Sequence, residues 1–217
     1  FLPISYTPMS LIAWFRARRV GACAPGCAPA YQASPGCARP GLAPFDPAHA
    51  KRVARWVQSD DELFALAPRT FPPLSARKVI GWQREDGYPM LYFDGGETDP
   101  CGYVELNRLP TGRAQWWLGH CLVAPHRRGK GVGLRMIDLV LDEAFCRRNA
   151  HTVSLVVFPD NFGAIRCYRR AGFSEHGEVF RRFATRAGQY RMLYMSIDRH
   201  EYEFRRETAA QPLRCQG

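Results

Sequence analysis

The octapeptide HRRGKGVG, His126 to Gly133, decides how this chain is read. Three glycines alternate with bulkier residues, and two arginines and a lysine stand among them. Before it, Ala114–Val123 (AQWWLGHCLV) reads as a long buried strand. After it, Leu134, Ile137, Leu141 and Phe145 recur at helical spacing, for an amphipathic helix of about four turns. The first amides of a helix lack intrahelical partners, and glycines let an anion approach them closely. The octapeptide is therefore either a phosphate cradle with Arg128 and Lys130 at its rim or a basic connector without a ligand. A nucleotide-binding P-loop is excluded, because Gly-Lys-Gly supplies no hydroxyl for magnesium. A dinucleotide fingerprint is excluded as well, because the spacing is GxGxG and no acid ends the strand that follows.

Further along the chain, His151–Phe158 (HTVSLVVF) is a β-branched strand stopped by Pro159, and Asn161–Ala171 is a second helix with Gly172 as its C-terminal cap. Phe173 onward and Tyr190–Ile197 supply two more strands. Upstream, Tyr88–Phe93, Gly102–Leu109 and Ala114–Val123, joined by turns at Asp94-Gly95-Gly96 and Pro110-Thr111-Gly112, imply an antiparallel meander. Tyr103, Glu105 and Asn107 alternate onto one face of the middle strand. Asp46 caps a helix with Pro47 at its first position, and Val53, Trp56 and Val57 form its apolar stripe. Asp60–Leu66 is a further helix, Ala67–Pro73 a loop, and residues 75–83 another short helix. Meander, helix, strand, helix and two strands describe an α/β fold around one mixed, mostly antiparallel sheet with helices on both faces.

Length suits one substantial domain, placed at residues 39–200. Residues 21–44 are too rich in Ala, Pro and Gly for regular structure, so 1–38 is expected to be a disordered leader; an organelle transit peptide is the alternative. Residues 201–217 are expected to be a tail. Formal charge is +10, of which +4 lies in the acid-free first 45 residues. Such a surplus suits any polyanionic ligand, but no nucleic-acid-binding signature accompanies it, so no specific nucleic acid is expected. No run of apolar residues suffices for a membrane span. The eight cysteines show neither a CxxC pair nor a histidine cluster. They read as buried free thiols of a cytoplasmic protein, with no metal site.

Beyond the octapeptide, LGHCLVAPHRRGKGVG carries a strand ending in Val-x-Pro, then Arg128, Gly131 and Gly133 in the pattern [Q/R]xxGxG. Downstream, NFGAIRCYRRAGF supplies Asn161, Ala164, Tyr168, Gly172 and Phe173 as Asn-x-x-Ala-x-x-x-Tyr followed by Gly-Phe. Together these motifs, over about Trp116 to Gly177, resemble the GNAT superfamily of N-acetyltransferases, and most of all its ribosomal-protein-type (RimJ/RimL-like) branch. The resemblance implies a V-shaped opening between two splayed parallel strands, with acetyl-CoA in it as acyl donor. Main-chain groups of Cys121, Leu122 and Val123 would pair with pantetheine. The amides of Arg128, Gly129, Lys130, Gly131, Val132 and Gly133 would hold the pyrophosphate, and Asn161 would bond pantetheine or nearby main chain. Tyr168 would protonate the leaving thiolate. No acid occurs between Ala114 and Val123, so Glu105 on the preceding strand and His120 are the alternative candidates for a base, acting directly or through water, or solvent serves. The acceptor would be a primary amine of a protein N-terminus or a small molecule, gripped by residues 46–83 and 180–195, where Trp56, Phe64, Trp82 and Tyr190 lie. The resemblance leaves a non-catalytic acyl-CoA-binding module as the rival, and a monomer or homodimer as the assembly.

Overall fold

Aromatic and β-branched runs become strands here because their side chains pack on a pleated, half-buried surface. The computed structural model describes residues 39–110 and 114–210. Its strands are β1 (Gly41–Pro44), β2 (Gly87–Phe93), β3 (Gly102–Arg108), β4 (Gln115–Val123), β5 (Thr152–Val157), β6 (Ser174–Phe183) and β7 (Arg186–Asp198). They form one sheet in the order β1-β2-β3-β4-β5-β7-β6. Five pairings are antiparallel and one, β4 with β5, is parallel. The expected turn at residues 111 and 112 and the leader over 1–38 lie outside the described residues.

The helices are α1 (Ala50–Arg55), α2 (Asp60–Leu66), α3 (Ala76–Ile80), α4 (Val132–Asp142), α5 (Phe162–Arg170) and α6 (Arg199–Ala210). Side-chain oxygens of Ser59, Ser75 and Asn161 accept amide hydrogens at the starts of α2, α3 and α5, each such cap contributing about 1 kcal/mol. A 3-10 turn capped by Asp46 leads into α1. Helix α4 continues into a π-helical turn over Glu143–Arg147, so the amphipathic helix has the expected length.

Adjacent residues of β3 show that helices cover both faces, since successive side chains of a strand point to opposite sides. Trp82, just after α3, lies on Tyr103 with ring centroids 6.1 Å apart. Helix α4 lies over the other face, where an ideal Cβ at Gly102 would come within 2.5 Å of Met136 Sδ. Glycine is what lets that helix approach. Residues from Arg199 onward differ from the tail expected after residue 200, because they form α6 and dock on the domain. Tyr202 is buried, stacks on Phe145 at 4.6 Å and donates to Asp142 Oδ1 at 2.7 Å. The buried Arg199 guanidinium donates to the Phe145 and Ala150 carbonyls and to Asn149 Oδ1.

A second apolar cluster ties the β6–β7 hairpin to α2. Phe64 packs against Phe158 (5.3 Å), Phe183 (5.7 Å) and Tyr190 (4.8 Å), pairs worth about 0.5–1.5 kcal/mol each beyond their area. Among the described residues no helix is long and apolar enough to cross a membrane. Cys101, Cys121 and Cys167 are free thiols as expected, whereas Cys146 is disulfide-bonded.

Candidate active site

The parallel pair opens where it matters. Strands β4 and β5 pair only over Gln115–Trp117 and Thr152–Ser154, although β4 runs on to Val123 and β5 to Val157. Beyond Trp117 the β5-facing edge of β4 therefore has no strand beside it. A bulge lies in the same stretch: Tyr103 faces Leu122 and Glu105 faces Gly119, so three steps of β4 match two of β3. His120 sits at the bulge with φ 28°, a left-handed conformation uncommon for a non-glycine residue. No residue pattern in Gly119-His120-Cys121 announces the bulge, and sequence reasoning missed it. A cavity of about 1390 Å³ occupies the opening. That exceeds the roughly 300–1,000 Å³ of a single small-molecule pocket and leaves room for two reactants.

One half of the cavity is built from main chain. Gly129 and Gly131 have φ of 73° and 76°, and a side chain on Gly129 would meet nothing within 4 Å. Among the described residues no backbone hydrogen bond uses an amide of residues 129–134 as donor. Those amides lead into α4, whose N-terminal dipole favours an anion. Val132 is buried by its side chain, Lys130 is exposed, and Gly133 brings α4 close to α5, with Cys167 Sγ 3.5 Å from where its Cβ would be. Ion pairs hold the loop from behind: Arg127 meets Glu97, and Arg135 joins the Lys130 carbonyl to Asp94.

Arg128 does something the motif does not announce. Its amide donates to Pro125 O, and its guanidinium donates to Val123 O (2.9 Å), Trp56 O (2.8 Å) and Glu62 Oε1 (2.5 Å). The side chain ties the end of β4 to α1 and α2 rather than standing at a rim.

Across the opening, α5 places Asn161 and Tyr168. Asn161 Oδ1 caps α5 by accepting from the Ala164 amide at 3.2 Å, which leaves its Nδ2 donors available to a ligand. The Tyr168 phenol and the Cys121 thiol lie close enough to shift one another's proton affinity. Burial, then the thiol groups of Cys121 and Cys167, push the Tyr168 phenol well above its ordinary range, so it stays protonated. Burial likewise pushes the Cys121 thiol up to about 12. A protonated phenol thus stands beside a thiol at the open edge of β4.

The other half of the cavity is built from side chains on the α1–α3 face. Glu105 is buried; Tyr103 donates to its Oε1 at 2.5 Å and Asn107 to its Oε2 at 3.5 Å. Burial and the neighbouring Glu105 carboxylate raise the Tyr103 phenol, which keeps it a donor. His120 Nδ1 lies 2.9 Å from Glu105 Oε2, but its ring N–H is not aligned with that oxygen, so this contact is one of proximity. Trp82 stacks on His120 at 4.3 Å and donates to Thr70. Glu105 and His120, alternatives in the sequence, are brought together as a pair. Of the expected acceptor-side aromatics, Trp82 lines the cavity, while Trp56, Phe64 and Tyr190 belong to the apolar clusters behind it.

Comparison with known proteins places this geometry. A family model described as the acetyltransferase (GNAT) family matches residues 52–173, more than half of the chain. A spermidine N(1)-acetyltransferase of Escherichia coli (strain K12) is 33% identical over 121 residues, 55% of this chain and 62% of that protein's length. A kanamycin resistance protein of Rhizobium radiobacter is 27% identical over 77 residues, 31% of this chain and 71% of its own. Among solved structures, a spermidine N-acetyltransferase from Vibrio cholerae, in complex with CoA and spermine, superposes with a TM-score of 0.64 at 19% identity. That superposition covers 76% of this chain and 98% of the other, and establishes a shared fold.

Proposed function

The chain belongs to the acetyltransferase (GNAT) family, and from that membership we propose that it transfers an acetyl group from acetyl-CoA directly to a primary amine. The observation that carries this reading is the Tyr168 phenol, kept protonated by burial and set beside the Cys121 thiol at the open strand edge. The surroundings fit acetyl-CoA as substrate. The amides of residues 129–134 and the α4 N-terminus suit the pyrophosphate. The free edge of β4 beyond Trp117 suits the pantetheine arm, which pairs there as an added strand would.

In this reading the main chain of the bulged segment Cys121–Val123 orients the thioester and polarises its carbonyl. The amine nitrogen forms the new C–N bond as the C–S bond breaks. Its proton passes to the Glu105–His120 pair, directly or through water, and Tyr168 gives its proton to the departing thiolate. Cys121 takes no covalent part, since a thiol held at about 12 is not a nucleophile near neutrality. A place beside the ribosomal-protein acetyltransferases would make the acceptor a protein N-terminus. The relatives reported above carry polyamine and aminoglycoside names, which favour a small amine.

Titration calorimetry with acetyl-CoA, followed by thiol release in the presence of an amine and peptide library, tests the proposal. Saturable binding with amine-dependent thiol release is expected. Binding without turnover on any amine would leave a non-catalytic acyl-CoA module, and no binding would overturn both readings.

A further inference from the structure

The two edges of the sheet are built differently. Strand β1 is four residues long and ends in Pro44, and both features blunt an edge against pairing. Strand β6 is ten residues long, holds no proline and, among the described residues, pairs only with β7. Its outer edge therefore presents a row of main-chain donors and acceptors with no strand beside it. From Gly177 to Phe183 the strand keeps its alternation, since the irregularity near its end sets four steps of β7 against two of β6. Val179, Arg181 and Phe183 turn to the cavity. Glu178, Phe180 and Arg182 turn to the opposite face, and all three are exposed. Phe180, at 52% exposure, is the most exposed large apolar side chain of the sheet.

Along that face the strand reads negative, apolar, positive. Laid antiparallel against itself, the same segment sets each of these against its complement. Directly opposed residues of an antiparallel pair share a face, and a two-fold axis normal to the sheet leaves every side chain on its own face. The axis must then pass through a residue rather than between two. Centred on Phe180, the pairing sets Glu178 of each copy opposite Arg182 of the other and brings the two Phe180 rings together. Centred on Val179, it would oppose Glu178 to Phe180 and His176 to Arg182. Centred on Arg181, it would oppose Phe180 to Arg182. Charge complementarity selects the first register. Glu178 Oε1 already accepts from Arg191 Nη1 at 2.8 Å, and a carboxylate has room for a second guanidinium on its other oxygen.

We propose that the outer edge of β6 is the interface with a second copy of this chain, formed by antiparallel β6–β6 pairing centred on Phe180. The seven-stranded sheets of the two copies then run on as one sheet. The exposed rings cover each other, and Glu178 and Arg182 pair across the axis on both sides of it. The contact uses the same patch on both copies, so it closes as a dimer and leaves no further edge of this kind open. Because the other face of β6 walls the cavity with Val179, Arg181 and Phe183, the pairing also braces that wall.

Sedimentation velocity over a range of concentrations tests the pairing on the full chain. The parent is expected to sediment as a dimer at roughly 100 μM and to dissociate on dilution. Glu178→Arg and Arg182→Glu, each alone, set like charges opposite one another on both sides of the axis, and each should raise the dimer Kd at least about tenfold. Mixed one to one, the two variants restore opposite charges at every position, so a heterodimer within about threefold of the parent's affinity is expected. Phe180→Asp disturbs no ion pair within the chain and should also dissociate the dimer, with neither charge variant rescuing it. Circular dichroism should show all three variants melting within a few degrees of the parent, because the side chains replaced are exposed. A parent that stays monomeric at roughly 100 μM would overturn the proposal. Variants that dimerise as the parent does, or folded charge variants whose mixture stays monomeric, would overturn it as well.

Discussion

The two halves of the cavity, proposed above for donor and acceptor, are made of different materials. The donor half is main chain: a glycine loop, unpartnered amides and the unpaired edge of β4, all within residues 118–134. The acceptor half is side chains gathered from the loop after α2, the turn before β2, β3, the bulge of β4 and β6. A backbone site demands particular conformations and so constrains residue types at short spacing. A side-chain site demands only that distant residues meet, and relatives can alter it without disturbing the fold. If that contrast is right, damage to the donor half abolishes binding of the donor, and damage to the acceptor half alters rate or choice while donor binding survives.

Gly131→Glu should have the largest effect. The position has φ 76°, which costs an L-residue roughly 1–2 kcal/mol, and the new carboxylate would enter a cradle suited to phosphate. Calorimetry should show acetyl-CoA affinity lowered by at least about a hundredfold, given the close-range repulsion between like charges. Gly131→Ala, with the backbone cost but no charge, should lose far less. Equal losses in the two would assign the effect to strain rather than to an anion site.

Tyr168→Phe comes next and probes the line where the halves meet. Turnover should fall about a hundredfold with acetyl-CoA affinity little changed, the scale expected for a general acid. The raised phenol also fixes the sign of the pH dependence. Tyr168 titrates well above 10, so the acid form persists as pH rises, and kcat should show no alkaline fall from this group up to about pH 10. A clear decline between pH 8 and 9 that vanishes in the phenylalanine variant would contradict that burial.

The same contrast explains what could be read before the fold was known. Strand and helix positions followed from local patterns: the alternation in β3, the Asp46-Pro47 and Asp60 starts, and the Gly172 stop all lie within a few residues of what they determine. The glycine loop was legible as a loop for the same reason, since its positive-φ glycines stand directly before the helix they lead into. The bulge at His120 was not, because it depends on how β3 and β4 register rather than on either strand alone. Nor was the Arg128 bridge to Trp56 and Glu62, about seventy residues away in sequence, or the pairing of Glu105 with His120. Helix α6 carries no such local signal: its stretch is weakly amphipathic and follows β7 without an intervening turn.

Glu105→Gln tests the acceptor half itself. The amide keeps the shape of the carboxylate and an acceptor for the Tyr103 hydroxyl, but removes the charge. Because His120 stands beside it to share the proton, the fall in kcat should be about tenfold, the lower end of acid–base effects. Acetyl-CoA affinity should hold. A Glu105→Gln, His120→Gln double variant no slower than either single variant would show that the two act as one unit. A kcat unchanged by both would leave deprotonation to solvent.

The smallest effect belongs to Cys121, which lies on the seam and would be the obvious nucleophile if the enzyme worked through an acyl-cysteine. Its thiol is raised from 9.0 to about 12, first by desolvation, so at pH 8 roughly one molecule in ten thousand carries the thiolate. Because the folded state holds this proton more tightly than the unfolded chain, the linked stability is complete below pH 9 and is lost as pH rises from 9 towards 12. Iodoacetamide at pH 8 should therefore leave Cys121 unmodified in the native protein and alkylate it after denaturation, as peptide mass mapping would show. Cys121→Ala removes the thiol beside Tyr168 but nothing that direct transfer needs, so kcat should stay within about threefold of the parent. An acetylated Cys121 peptide trapped from acetyl-CoA alone, together with loss of turnover in the alanine variant, would replace direct transfer by a two-step route. It would also move the most reactive group of the site from the acceptor's nitrogen to the strand that holds the donor.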